Sequence, residues 1–104
     1  MSVYLLKILT PEKRIYESRV LSVTVTGSDG RLTVLAGHAP MAAILSVGPI
    51  VIRTEQETIE GVTGRGMMWV DQKEAAVMVH AFRWAADETE TLPTETAPAK
   101  DMML

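Results

Sequence analysis

The stretch VLSVTVTGSDGRLTVL, residues 20–35, decides the fold class. In its first seven residues Leu21, Val23 and Val25 share one face of an extended chain, and Val20, Ser22, Thr24 and Thr26 share the other. Only Val20 departs from polarity on that second face, so the period is close to two, that of a half-buried strand. Gly27 and Gly30 then bracket Ser28 and Asp29 in a composition that turns a chain, and RLTVL (31–35) resumes an extended segment.

The same grammar repeats outward. SVYLLKIL (2–9) favours a strand and stops at TPEKR, where Pro11 marks a turn or an edge. PIVIRT (49–54) and ETIEGVT (57–63) are joined across Glu55 and Gln56 so tightly that they suggest a hairpin. GMMWV (66–70) and AAVMVHAF (75–82) repeat the arrangement across DQKE (71–74). APMAAILSVG (39–48) is ambiguous: Met41, Ala42, Ile44 and Leu45 fit either a helical turn or a short buried strand, while Pro40 and Gly48-Pro49 oppose a long helix. A string of strands of about 4–8 residues between polar or Gly-containing turns is the pattern of a β-sandwich or small barrel. The expected class is all-β, with two sheets covering each other.

Composition bounds the organisation. A chain of 104 residues suits one domain. We place it at 1–86, followed by an acidic, Pro- and Thr-containing tail, 87–104, expected to be flexible. Of the formal net charge of −3, the body carries nine Lys or Arg against eight Asp or Glu, and the tail one Lys against five acids. That balance argues against nucleic-acid affinity. The absence of cysteine removes disulfides, thiol nucleophiles and thiolate metal sites. No apolar run approaches the ~20 residues of a membrane span, and the first residues lack a secretory leader. The expectation is a soluble, intracellular domain without direct membrane insertion.

Catalysis finds little support. His38 has the right chemistry for a base, but Ser28 and Asp29, though near in sequence, do not by themselves make a triad. His80 and His38 are far apart and have no cysteine partners, so no metal-ligand signature is present. GSDGRLTVLAG lacks the Lys-Ser/Thr ending of a phosphate loop, and GVTGRG (61–66) matches the dinucleotide spacing only loosely and precedes no helix. Tight turns and close strand approach explain these glycines more simply. Asp29, Glu55, Glu57, Glu60, Asp71 and Glu74 fall at turns or solvated faces. Arg31 follows the turn and can present a planar charge to a partner. Met67 and Met68 are consecutive on a strand and cannot both point inward, so at least one is a candidate for a partner-facing patch. The expected site set therefore contains no catalytic, cofactor-binding or metal-binding residue.

From ILTPEKRIYE through the turn GSDG to GHAP (37–40), and on through VIRT, TGRGMMWV and AVMVHA, the order and spacing of short motifs resemble the amino-terminal β-sandwich domain of the epsilon subunit of F-type ATP synthases. The resemblance covers roughly residues 3–86. It implies a two-sheet sandwich of about ten short strands that performs no hydrolysis. It further implies a place in the central stalk beside the gamma subunit and on the c-ring, as a single copy coupling proton or sodium flow to ATP synthesis. The corresponding location is peripheral, on the cytoplasmic face of a bacterial inner membrane or the stromal face of a thylakoid. Family members usually add a helical hairpin, for which the 18 residues from Asp87 onward are too few. By position in the motif, Asp29, Gly30, Arg31 and His38 are the c-ring-facing candidates and Met67 and Met68 the gamma-facing ones. Arg31 stands where the family often has an acidic or amide residue. The competing reading is a small regulatory or anion-binding β domain that uses its glycine turns.

Overall fold

A computed structural model describes residues 2–86. Among them ten strands follow one another: β1 (Tyr4–Leu9), β2 (Arg14–Val20), β3 (Ser22–Gly27), β4 (Gly30–Leu35), β5 (Met41–Leu45), β6 (Gly48–Arg53), β7 (Thr58–Thr63), β8 (Gly66–Val70), β9 (Glu74–Val79) and β10 (Phe82–Trp84). The expected tail, 87–104, lies outside the described residues.

Hydrogen bonding runs in the order β10-β7-β6-β3-β5-β8-β9-β1-β2, with β4 also paired to β3. The β3–β5 step is a single residue pair, Gly27 with Leu45. The path folds at that step, giving two five-stranded layers: β10-β7-β6-β3-β4 and β5-β8-β9-β1-β2. The chain first crosses between layers at Leu21, where β2 ends and β3 begins. A second tie is Tyr4, whose hydroxyl donates to the Val34 carbonyl oxygen at 2.7 Å and so bonds β1 to β4. Burial pushes the Tyr4 phenol up to about 12, against a smaller lowering from the Val23 backbone.

Alternation builds the core between the layers. Val23 and Val25 of β3 are buried as their period predicts, joined by Val34, Ile50 and Ile52 from their own layer. The second layer supplies Leu6, Ile8, Met68, Val70, Ala75, Val77 and Val79. Each large side chain so buried stabilises by about 1.5–3 kcal/mol relative to exposure. On the outer side of the first layer Thr24 and Thr33 stand opposite and bond through their hydroxyls at 2.8 Å. At the β10/β2 side Trp84 meets Tyr16 edge-on at 5.6 Å and Phe82 at 4.6 Å, closing the sandwich with an aromatic cluster.

Two elements depart from the sequence expectation, and a third settles an open alternative. β2 was not anticipated, because RIYESRV lacks alternating apolar residues; β1 recruits it as a partner through the Tyr4–Val20 register. Residues 41–45 resolve as a strand, paired along β8. The segment 75–82 is two strands rather than one. It breaks at His80 and Ala81, where His80 N–H donates to Arg65 O at 2.9 Å and Gly64 N–H to Ala81 O at 2.8 Å. The DQKE turn forms as expected, with the Asp71 carboxylate accepting from the Lys73 and Glu74 amides at 2.7 and 2.8 Å. Those two amides hold its pKa below the ordinary carboxylate value.

Candidate interaction surface

The turn at 27–30 is the tip of the β3–β4 hairpin. Gly27 and Gly30 pair, leaving Ser28 and Asp29 as a two-residue loop. Gly30 has φ +124°, a backbone conformation that a side chain would strain, which is the reason for glycine there. The tip is fastened to β5: Ser28 N–H donates to Ile44 O and Ser46 N–H donates to Thr26 O, both at 3.0 Å. With its amide engaged, Ser28 offers no backbone N–H to an anion cradle. Asp29, Gly30 and Arg31 are all exposed and rim a groove whose other wall is Met41 to Ile44.

His38 stands elsewhere. It follows the far end of β4, and at ~3.3 Å per strand residue the four steps from Arg31 to Leu35 alone cover about 13 Å. Gly37, at φ +80°, turns the chain there, and His38 N–H donates to Leu35 O at 3.1 Å. The ring Nδ1 lies 2.9 Å from Ala39 O, so that nitrogen carries the proton and donates. The structure therefore brings Asp29, Gly30 and Arg31 together and leaves His38 apart. No hydrogen bond joins His38 to Ser28 or Asp29 among the described residues, so the three do not form a catalytic set.

The methionine pair divides by alternation. Met68 is wholly buried and Met67 is 38% exposed, so Met68 is corrected to a core residue and only Met67 can face a partner. Met67 sits in an apolar row across the outer side of the second layer. Ile44 of β5 opposes Met67 of β8, Met67 opposes Met78 of β9, and Met78 opposes Leu9 of β1. The adjacent row runs Ala42, Trp69, Ala76 and Lys7, where Lys7 pairs with Glu74 at 3.7 Å. Ile44, Trp69 and Met78 are 63%, 43% and 41% exposed. Isolated exposed apolar residues are ordinary, but a contiguous row on one face marks an interaction surface. Sequence reasoning missed these three. The signal lay in the period of two: buried Ala75, Val77 and Val79 force Met78 outward, just as Met68 and Val70 force Trp69.

The remaining glycines are structural. A side chain at Gly61 would meet Arg83 O and the Phe82 ring, and one at Gly66 would collide with the Met78 carbonyl oxygen. GVTGRG is thus strand packing rather than a phosphate loop. Among the described residues no three His, Cys, Asp or Glu side chains are grouped to hold a metal ion. No helix among them is long and apolar enough to cross a membrane.

Comparison with known proteins places this geometry. A chain from Sulfurimonas denitrificans named ATP synthase epsilon chain is 40% identical over 80 residues, which are 76% of this chain and 62% of that relative. A second protein of that name, from Campylobacter jejuni subsp. doylei, is 36% identical over 101 residues, covering 94% of this chain and 78% of its own. This chain thus spans less than two thirds of the Sulfurimonas relative. A chain in the solved mitochondrial ATP synthase assembly of Euglena gracilis, which includes the c-ring, superposes with a TM-score of 0.76 at 18% identity over 91% of this chain and 70% of that one. At that identity the likeness is one of fold. The family model for the beta-sandwich domain of the ATP synthase delta/epsilon chain matches residues 4–85, which is the whole sandwich from β1 to β10, and the chain belongs to that family.

Proposed function

We propose that the chain is a non-catalytic subunit of the central stalk of an F-type ATP synthase, linking the gamma subunit to the c-ring so that proton or sodium flow drives ATP synthesis. The observation that carries this reading is the family match across the entire sandwich, residues 4–85. Two surface features fit it. The tip with Asp29, Gly30 and Arg31 offers polar and charged groups on a rigid hairpin, suited to the polar loops of a c-ring. The apolar row containing Met67 offers the bulk that a stable neighbour such as gamma requires. A stable rotor interface buries more than about 1,000 Å², with its energy concentrated in a few anchors. The subunit then works at the membrane surface as a peripheral component, on the cytoplasmic side in a bacterium.

Reconstitution tests the reading. A rotary complex lacking this chain should lose coupling between ion movement and ATP turnover, and unchanged assembly and coupling would sink the proposal. Within it, Arg31→Ala should weaken c-ring attachment while the isolated domain keeps its unfolding midpoint. Equal loss of both would assign Arg31 to folding.

A further inference from the structure

Met67 and Met78 oppose each other directly across β8 and β9, flanked in the same row by Ile44 and Leu9. Directly opposed residues hold their Cβ atoms about 4.5–5.5 Å apart, so the two thioethers share one patch. They are 38% and 41% exposed, whereas Met68, the next residue along the chain, is wholly buried. Oxidation of a thioether follows its access to solvent, and it makes a polar group of an apolar one. We propose that the Met67–Met78 pair is an oxidation-sensitive modification site that turns the apolar face of the free chain polar under hydroperoxide exposure. This goes beyond the stalk reading, because it requires only the exposed pair and the protected Met68.

The chemistry is an oxygen transfer. The hydroperoxide breaks its O–O bond, gives one oxygen to the methionine sulfur and leaves as water or an alcohol. The sulfur is oxidised by two electrons to the sulfoxide and the peroxide is reduced by two. Two neighbouring sulfoxides at the middle of a four-residue apolar row then hold water that any apolar partner would have to strip away. The core is spared because Met68 points inward, so the fold survives the change. Sulfoxide reductases, one for each epimer, restore the face.

The test treats the full chain with a limiting dose of hydrogen peroxide and reads every methionine by peptide mass spectrometry. Met67 and Met78 should gain oxygen about tenfold faster than Met68. The urea-unfolding midpoint should be kept, and bis-ANS fluorescence on the folded chain should fall about twofold and recover after reductase treatment. The M67L/M78L double variant keeps an apolar face without sulfur, and peroxide should leave its dye signal unchanged. The proposal is overturned by oxidation of Met68 at the rate of the pair, by loss of the unfolding transition, or by a dye signal that responds equally in both proteins. Capture on the gamma subunit separates the two readings: an untreated chain that is not captured counts against the stalk assignment, while the peptide masses and the dye signal decide the modification site.

Discussion

Replacing Tyr4 by Phe isolates the bond that ties β1 to β4. The side chain is 5% exposed and its hydroxyl lies 2.7 Å from the Val34 oxygen, so the substitution removes one buried donor from a carbonyl whose residue also pairs with Val23 in the β3–β4 ladder. That loss should destabilise the domain by about 0.5–1.5 kcal/mol near neutral pH. In a domain of this size each kcal/mol lowers Tm by roughly 4–8 °C. The phenol adds a second, pH-resolved signature. Its ionisation is raised from 10.0 to about 12 in the folded chain, so the folded state favours the neutral form. The stabilisation is fully present below the unfolded value and is lost as pH rises from there through the folded value. By about pH 11 the loss is roughly 1.4 kcal/mol, and above both values it is roughly 3 kcal/mol. Urea unfolding of both proteins between about pH 8 and pH 11 measures the gap, and groups that titrate in both cancel in the difference. The gap should shrink by roughly 1.4 kcal/mol over that range. A gap that stays constant within about 0.3 kcal/mol would refute the reasoning, because it would mean that Tyr4 is not desolvated.

Further substitutions probe the same architecture. Met68→Ala should cost about 2–5 kcal/mol in urea unfolding, while Met67→Ala should stay within about 0.5 kcal/mol; comparable costs would place both side chains in the core. Gly66→Ala sets a new Cβ against the Met78 carbonyl oxygen, backbone against backbone, and should cost more than about 2 kcal/mol by chemical denaturation. Asp71, its pKa lowered by the Lys73 and Glu74 amides, contributes stability above the unfolded carboxylate value that is lost as pH falls through the folded one. Asp71→Ala should therefore flatten the acid limb of the thermal-stability profile, and an unchanged limb would show that the turn gains nothing from the charge.

Much of the fold was legible because one face of each strand is solvated. At β3 the alternation of Val and Thr told inward from outward correctly, and at β8 it told that Met67 and Met68 must diverge. It could not tell which of the two went inward, since both are equally apolar; the register of β8 against β5 and β9 makes that choice. β2 was illegible for the opposite reason. As the outer strand of its layer it buries little, so its residues carry almost no period, and its existence follows from the strand beside it. The surface suffered most from reading along the chain. Ile44, Met67, Met78 and Leu9 come from four strands and converge only through pairing. Arg31 and His38, only seven positions apart, are separated by the length of β4.

β1 and β9 form a parallel pair, matching Leu5 with Glu74 and Leu9 with Met78. The first strand of the chain is thus inserted between β2 and β9, and one of its edges waits for a segment about seventy residues later. During synthesis the β1–β2 hairpin must pass through an interval in which Leu6 and Ile8 are made but their lid is not. Such a topology postpones closure of the second layer until nearly the whole domain is available, which slows folding. A ribosome stalled before residue 74 would release a fragment in which β1 and β8 each present an open strand edge, a substrate for chaperones or proteases rather than a half-built subunit.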